Sequence, residues 1–488
     1  MSADSTLRRI AVRGMAVASA SQGVRLVVQL VSVVTLSRLL APGDFGVLAM
    51  VAPPYALAVL LQDLGLSQAA VQARAIAPGQ VGNLFWLNVV VSLMLGALLW
   101  AGAPALAAFY GEPAVAPLTR AFAALVVVSG LAAQPQAMLS RQMRFGWLSA
   151  MSAAASVAGL AVALGVAAVW HSVWALFAGP AAGAVVTLVV SWAATGWRPG
   201  WPRRGQGTLR LLRFGGGLAG TEILGLAVRT LDNVLIGWAW GNAALGVYDR
   251  AYKLLLLPLE QVGGPLSRVM LPTLARLADN PARYRHAWLR MLRVLLFATQ
   301  PGIVWMIASA DTLVPALLGE AWRDAAPVFR WLGVAGLHQP VALALSWLLI
   351  NQGRTKALVG WAGFNAATCT AAFAAGLPWG GVGVAAAYSL SEMLPRLPAL
   401  WWMATRRGPV GLGDLLRVAV PFVVADAVAW GVLQGWMTTP GTAAMGLALS
   451  YLLGAGALMA TQGGRAVAVE CARMLRPWAA RRGEAPGR

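Results

Sequence analysis

Arg25 stands in the middle of an apolar stretch, with Gln22 and Gln29 three and four residues away on the same helical face. Much further along, Glu222, Arg229 and Asp232 share one apolar stretch, and Arg250, Lys253 and Glu260 share the next. A charge at the centre of a bilayer costs roughly 2.5 to 3.5 kcal/mol or more unless it faces protein or water, so these residues are expected to line a site. Guanidinium and ammonium groups in a water-filled cavity suit an anionic headgroup such as phosphate or pyrophosphate. Arg25, Arg229, Arg250 and Lys253 are therefore the candidate headgroup-binding residues. Asp232 lies at a depth similar to Arg250 and can pair with it or with Arg229, yet one carboxylate cannot neutralise three cations. The competing reading is structural: Asp232 and Glu260 form ion pairs with Arg250 and Lys253 that hold two helices together. Glu222, Glu260 and Glu392 can also bind a coupling proton or sodium ion, and nothing in the sequence chooses among them.

Other chemistries find no support. His171, His286 and His338 carry no metal-ligand spacing, and neither Lys253 nor Lys356 follows a glycine, so there is no phosphate-binding loop of an ATPase. Nucleophile and zinc signatures are missing, and no cofactor is implied. Cys369 falls in an apolar helix and Cys471 in the C-terminal tail, a placement that argues against a disulfide.

The elements that hold these residues are membrane spans. With 59% apolar and 11% charged residues over 488 positions and a positive mean hydropathy, the chain carries too much continuous apolar sequence for a soluble core. Fourteen spans are expected, at 14–39, 45–65, 83–109, 114–139, 146–169, 172–195, 214–239, 244–270, 292–310, 325–350, 357–377, 380–404, 418–436 and 441–462. The first is too long for a signal peptide and runs almost directly into the second through Ala41-Pro42-Gly43-Asp44, so it reads as an uncleaved helix. Of the 37 Lys and Arg, 27 fall on one set of alternate loops and termini and only Arg38, Arg120 and Arg323 on the other. The positive-inside rule then puts both termini in the cytoplasm. The net charge of +20 sits in short juxtamembrane loops, where topology and anionic lipid headgroups explain it without a nucleic-acid partner.

The chain also repeats itself. Shifted by 200 residues, Arg13-Gly14 overlies Arg213-Phe214 and Phe45-Gly46-Val47 overlies Leu245-Gly246-Val247. At slightly larger offsets Phe85-Trp86-Leu87 meets Ala287-Trp288-Leu289, and Tyr110-Gly111-Glu112 meets Leu318-Gly319-Glu320. The expected fold is an all-α integral membrane protein of two pseudo-symmetric six-helix lobes plus an accessory pair. Its parts are a cytoplasmic N-terminus (1–13), an N-lobe (14–195), a linker (196–213), a C-lobe (214–404), accessory helices (405–462) and a basic tail (463–488). Parallel six-helix repeats place a substrate route between lobes. Prolines inside spans, from Pro53 and Pro54 to Pro340, are candidate hinges or plain packing kinks.

Several motifs resemble those of the prokaryotic polysaccharide transporters, the lipopolysaccharide or O-antigen flippases of the multidrug/oligosaccharidyl-lipid/polysaccharide exporter superfamily. They are Ser37-Arg38-Leu39-Leu40-Ala41-Pro42-Gly43-Asp44-Phe45-Gly46, Phe85-Trp86-Leu87-Asn88, Ala108-Phe109-Tyr110 and Arg141-Gln142-Met143-Arg144-Phe145. Trp197-Arg198-Pro199, Leu231-Asp232-Asn233-Val234-Leu235-Ile236-Gly237 and Leu245-Gly246-Val247-Tyr248-Asp249-Arg250-Ala251-Tyr252 complete the set. Ser37 stands where the family usually has Ala. The resemblance implies a flippase carrying an undecaprenyl-diphosphate-linked oligosaccharide across a bacterial inner membrane by alternating access, with membrane lipids and polysaccharide assembly proteins as further partners. A cation-coupled exporter of the same superfamily is the first rival. A membrane polymerase or ligase would need a larger external loop than 311–324, and a scaffold would not carry intramembrane charges.

Overall fold

A computed structural model describes residues 3–63, 77–202, 208–434, 440–460 and 463–466, with side chains described from Ala20 in the first helix and from Ile223 in the seventh. Arg74, Arg203, Arg204 and the tail from residue 467 lie outside the described residues, as do the side chains of Arg8, Arg9, Arg13, Arg210, Arg213 and Glu222. Among the described residues all regular structure is helical.

The chain forms α1 (Ala3–Leu39), α2 (Pro42–Asp63), α3 (Pro78–Tyr110), α4 (Val115–Arg141), α5 (Phe145–Trp170), α6 (Trp174–Thr195) and α7 (Thr208–Arg276). It continues with α8 (Pro281–Ala308), the short α9 (Ala310–Leu318), α10 (Ala325–Asn351), α11 (Thr355–Gly376) and α12 (Gly380–Ser391). A π turn (Glu392–Arg396) leads into α13 (Leu397–Thr405), followed by α14 (Leu412–Leu433) and α15 (Pro440–Met459). Eleven stretches among the described residues are long and apolar enough to cross a membrane. One of them, Thr355–Thr405, contains the eleventh and twelfth expected spans, while the seventh and eighth both lie in α7. That helix is broken by Gly241, whose φ of 78° and ψ of −173° only glycine adopts readily. The break falls 200 positions after Ala41, which separates α1 from α2, so the sequence repeat is also a repeat of turns.

Wide faces of these helices stay apolar and exposed, among them Met94 and Leu98 on α3 and Val185 and Val189 on α6. Such faces suit lipid tails, not water.

The helices group into two compact units, Met1–Asp249 and Arg250–Arg488, so the packing divides within α7 whereas the sequence repeat divides at the linker. In the first unit α5 and α6 approach through glycine: a Cβ on Gly159 would stand 2.9 Å from the Gly179 carbonyl oxygen, and one on Gly179 would stand 3.1 Å from that of Gly159. The start of the linker is tied to α3, where Trp86 Nε1 donates to the Gly200 carbonyl (3.1 Å) and its ring stacks on Trp201. In the second unit the core holds Trp288, Leu292 and Leu295 of α8, Leu345 and Leu348 of α10, Leu400 of α13 and Leu415 and Phe422 of α14.

The turn between the fourth and fifth expected spans recurs almost atom for atom. Met143 has φ 53° and Gly353 has φ 62°; the following arginines have φ/ψ of −82°/52° (Arg144) and −80°/56° (Arg354). Arg144 N donates to the Leu139 carbonyl and Arg354 N to that of Leu349, at 3.0 and 3.1 Å. Each guanidinium then caps the last turn of its unit's partner helix: Arg144 reaches the Ala194 carbonyl (2.7 Å), and Arg354 reaches Ala404 (3.0 Å) and Met403 (2.7 Å). Cationic donors at a helix C-terminus satisfy orphan carbonyls and oppose the negative end of the dipole.

Candidate functional site

The first unit presents two of the four candidate cations. Arg25, half-buried on α1, donates to the Ser152 hydroxyl on α5 (3.0 Å) and to the Gln22 amide oxygen one turn back on its own helix. Arg229 is exposed on α7, its guanidinium turned back along the helix toward Gly225. Asp232, one turn further, is buried, and its carboxylate accepts from the Tyr248 hydroxyl (2.9 Å) and the Asn233 amide (2.8 Å). Tyr248, a neutral donor beyond the Gly241 break, was not among the residues that charge and spacing pick out. Its presence in the Leu245–Tyr252 motif is the signal that could have found it.

The break holds these groups in place through a reciprocal crossing of backbones. A Cβ on Gly46 would lie 1.7 Å from the Asn242 carbonyl oxygen, and one on Gly246 would lie 1.9 Å from that of Pro42. Each glycine thus meets the position equivalent, by the 200-residue repeat, to the one its counterpart meets. Asn242 is fixed further by its side chain, which donates to Glu112 Oε2 (2.9 Å).

A neutral polar cluster lies between α2, α3 and α4. In the orientation that satisfies both of its amide atoms, Gln62 donates to the Val126 carbonyl (3.0 Å) and the Ser129 hydroxyl (3.1 Å) and accepts from the Gly130 amide (2.6 Å). Ser92, packed against Gly130, donates to the Asn88 carbonyl (2.6 Å).

In the second unit Arg250 is half-buried, while Lys253 and Glu260 are exposed. Glu260 borders a cavity of about 330 Å3 between α7, α8 and α10, with Ser267, Thr299 and Gln339 as its other polar neighbours. Glu392 is placed differently. Its carboxylate is buried at the π turn between two partners, His338 Nδ1 on α10 (2.6 Å) and Arg396 (2.7 Å). Arg396 is 1% exposed; it donates to the Asn365 side-chain oxygen (3.1 Å), the Cys369 sulfur (2.9 Å) and the Tyr388 carbonyl (3.0 Å), and lies over the Tyr388 ring. Trp401 Nε1 closes the network by donating to His338 Nε2 (3.1 Å). The spacing of Glu392 and Arg396 as an i,i+4 pair was readable in the sequence, but His338, 54 residues before Glu392, was not. Among the described residues no cluster of His, Cys, Asp and Glu could hold a metal ion.

Residues 35–327 match the family described as "Polysaccharide biosynthesis protein". The chain is similar to the teichuronic acid biosynthesis protein TuaB of Bacillus subtilis, at 23% identity over 62% of this chain and 63% of that one, so it spans just under two thirds of that relative's length. It is similar also to the succinoglycan biosynthesis transport protein ExoT of Rhizobium meliloti, at 26% identity over 71% and 70% of the two chains. Among solved structures, the lipid II flippase MurJ in an inward closed conformation shares the fold, with a TM-score of 0.73 at 12% identity over 90% of this chain and 97% of that one.

Proposed function

Because the chain belongs to the polysaccharide biosynthesis protein family, we propose that it is a flippase that carries an undecaprenyl-diphosphate-linked oligosaccharide from the cytoplasmic to the periplasmic leaflet of a bacterial inner membrane. The observation that carries this reading is the family match, supported by relatives named for polysaccharide biosynthesis and transport. ExoT is named a transport protein, and in this reading the chain is a transporter, not an enzyme.

In this reading both termini are cytoplasmic and the diphosphate is held by Arg25, Arg229, Arg250 and Lys253. Each is a cation within an expected membrane span, and each has donors for phosphate oxygens. Arg25 is pre-oriented by Gln22 and Ser152, so it offers a fixed direction for one hydrogen bond. Alternating exposure of the headgroup to the two leaflets completes the cycle. Asp232, Glu260, Glu222 and Glu392 are the acidic groups through which a proton or sodium gradient drives it. Membrane lipids and polysaccharide assembly proteins are the further partners.

Deleting the gene and analysing lipid-linked and surface glycans tests the proposal. The expected result is loss of one surface glycan with its lipid-linked repeat unit accumulating on the cytoplasmic side, reproduced by Arg25→Glu and Arg250→Glu at unchanged protein level. Unchanged glycans with altered drug sensitivity would replace the flippase by an exporter.

A further inference from the structure

We propose that His338 is a proton-binding site, and that a proton on its Nε2 displaces Trp401 and frees the chain to bend at the π turn beside it. The inference deepens the ion-coupling part of the proposed function and rests on it for the role in transport, although proton binding itself does not require it.

Hydrogen-bond directions define the ring's state. The Trp401 indole N–H can only donate, so His338 Nε2, 3.1 Å away, offers a lone pair. The opposite nitrogen, Nδ1, stands 2.6 Å from Glu392 Oε1 and therefore carries the ring's proton. Glu392 uses its other oxygen for Arg396. The network is then a neutral imidazole, a carboxylate and a guanidinium, with no net charge, enclosed where water is scarce.

That arrangement selects the particle it can take up. Both carboxylate oxygens of Glu392 are engaged, and Arg396 already provides the positive charge that a metal cation would bring. A sodium ion would add a second cation to one carboxylate and would have to evict a guanidinium held by three further acceptors. The lone pair of Nε2 is the basic site left. A hydronium ion delivers a proton to it and leaves as water; the network then carries one positive charge, and two N–H groups point at each other across the former Trp401 bond. One of them must turn away.

The surroundings give that movement room. His338 and Trp401 both line a cavity of about 370 Å3 between α8, α10, α13 and α14. Besides His338 and Trp401, its polar lining includes Gln300 on α8 and Asp426 on α14. Trp401 sits on α13, directly beyond the π turn that holds Glu392 and Arg396. Pro395 and Pro398 weaken the backbone hydrogen bonding there, so release of Trp401 acts on a segment already poor in helical bonds.

The chain has three histidines, which makes the site directly observable. Full-length protein labelled with 15N-histidine and 15N-tryptophan in nanodiscs is titrated by NMR from about pH 8 to about pH 5, with histidine signals assigned through His171→Gln and His286→Gln. The expected result is a His338 ring bare at Nε2 at high pH and protonated at both nitrogens at low pH. The indole N–H of Trp401, identified by its loss in Trp401→Phe, shifts in the same step, and sodium at constant pH changes neither. Trp401→Phe, which removes the indole donor and leaves Nε2 open, is titrated alongside. A His338 signal fixed in one state across the range in both proteins overturns the proposal, as does a response to sodium. Proton uptake combined with glycan transport indifferent to a pH gradient would sustain the site and remove it from the coupling mechanism.

Discussion

The reciprocal crossing of Gly46 and Gly246 makes a quantitative demand on the first unit. Alanine at position 46 would place its Cβ 1.7 Å from the Asn242 carbonyl oxygen, whereas ordinary contact begins near 3.4 Å, so the two backbones must part by about 1.7 Å. Overpacking of this kind typically costs about 1 to 3 kcal/mol, and losing the Asn242 to Glu112 hydrogen bond adds about 0.5 to 1.5 kcal/mol. Gly246→Ala meets the same obstacle from the other side, at 1.9 Å from the Pro42 oxygen. Alanine is otherwise the better helix former by about 1 kcal/mol, so a net loss at either site is diagnostic. Because both substitutions separate the same pair of backbones, the second should cost little once the first is present. Unfolding free energies of the two single variants and the double variant in mixed micelles would measure this, with Gly165→Ala, where nothing lies within 4 Å, as the unobstructed control expected to gain up to about 1 kcal/mol. The expected coupling is about 1 to 3 kcal/mol in favour of the double variant. Strict additivity, or a Gly46→Ala protein as stable as the parent, would refute the reasoning.

The paired turns make two more predictions. Met143 occupies a left-handed conformation and is 74% exposed, so Met143→Gly sacrifices little packing and should raise stability by up to about 1 kcal/mol, whereas Gly353→Ala should lower it by a similar amount; thermal unfolding in the same micelles would check both signs. Arg354→Ala removes bonds to the carbonyls of Met403, Ala404 and Arg407, whereas Arg144→Ala removes one to Ala194, so the first should cost roughly 1 to 3 kcal/mol more by the same measurement.

How far the sequence reveals these features depends on whether they are local. Spans are legible because a bilayer imposes length and apolarity on consecutive residues, and the start of α2 and the break in α7 follow from Ala41-Pro42-Gly43-Asp44 and its counterpart around Gly241. The Arg141–Phe145 motif was visible, but its purpose required seeing Arg144 reach a carbonyl 50 residues later. Asp232 shows the limit of charge counting: spacing offers it arginines, while folding at Gly241 brings a tyrosine hydroxyl. His338 has no metal-ligand spacing to mark it, and its partners Glu392 and Trp401 lie 54 and 63 residues away along the chain. Arg25 likewise meets Ser152 only through the packing of α1 on α5.

The π turn at Glu392–Arg396 also acts as a phase shifter. A residue added to a helical turn rotates everything after it by about 100°, so α12 and α13 cannot share a single apolar stripe even though they form one continuous span. The extra residue lets Tyr388 and Arg396 stack while Trp401 still turns toward α10. Shortening the turn by one residue would restore an ordinary helix and swing Trp401 and Thr405 about a quarter-turn out of register, with the composition of the span almost unchanged. For homologues of this chain, the length of that turn is thus a better indicator of how the end of the span faces its neighbours than the residues that follow it.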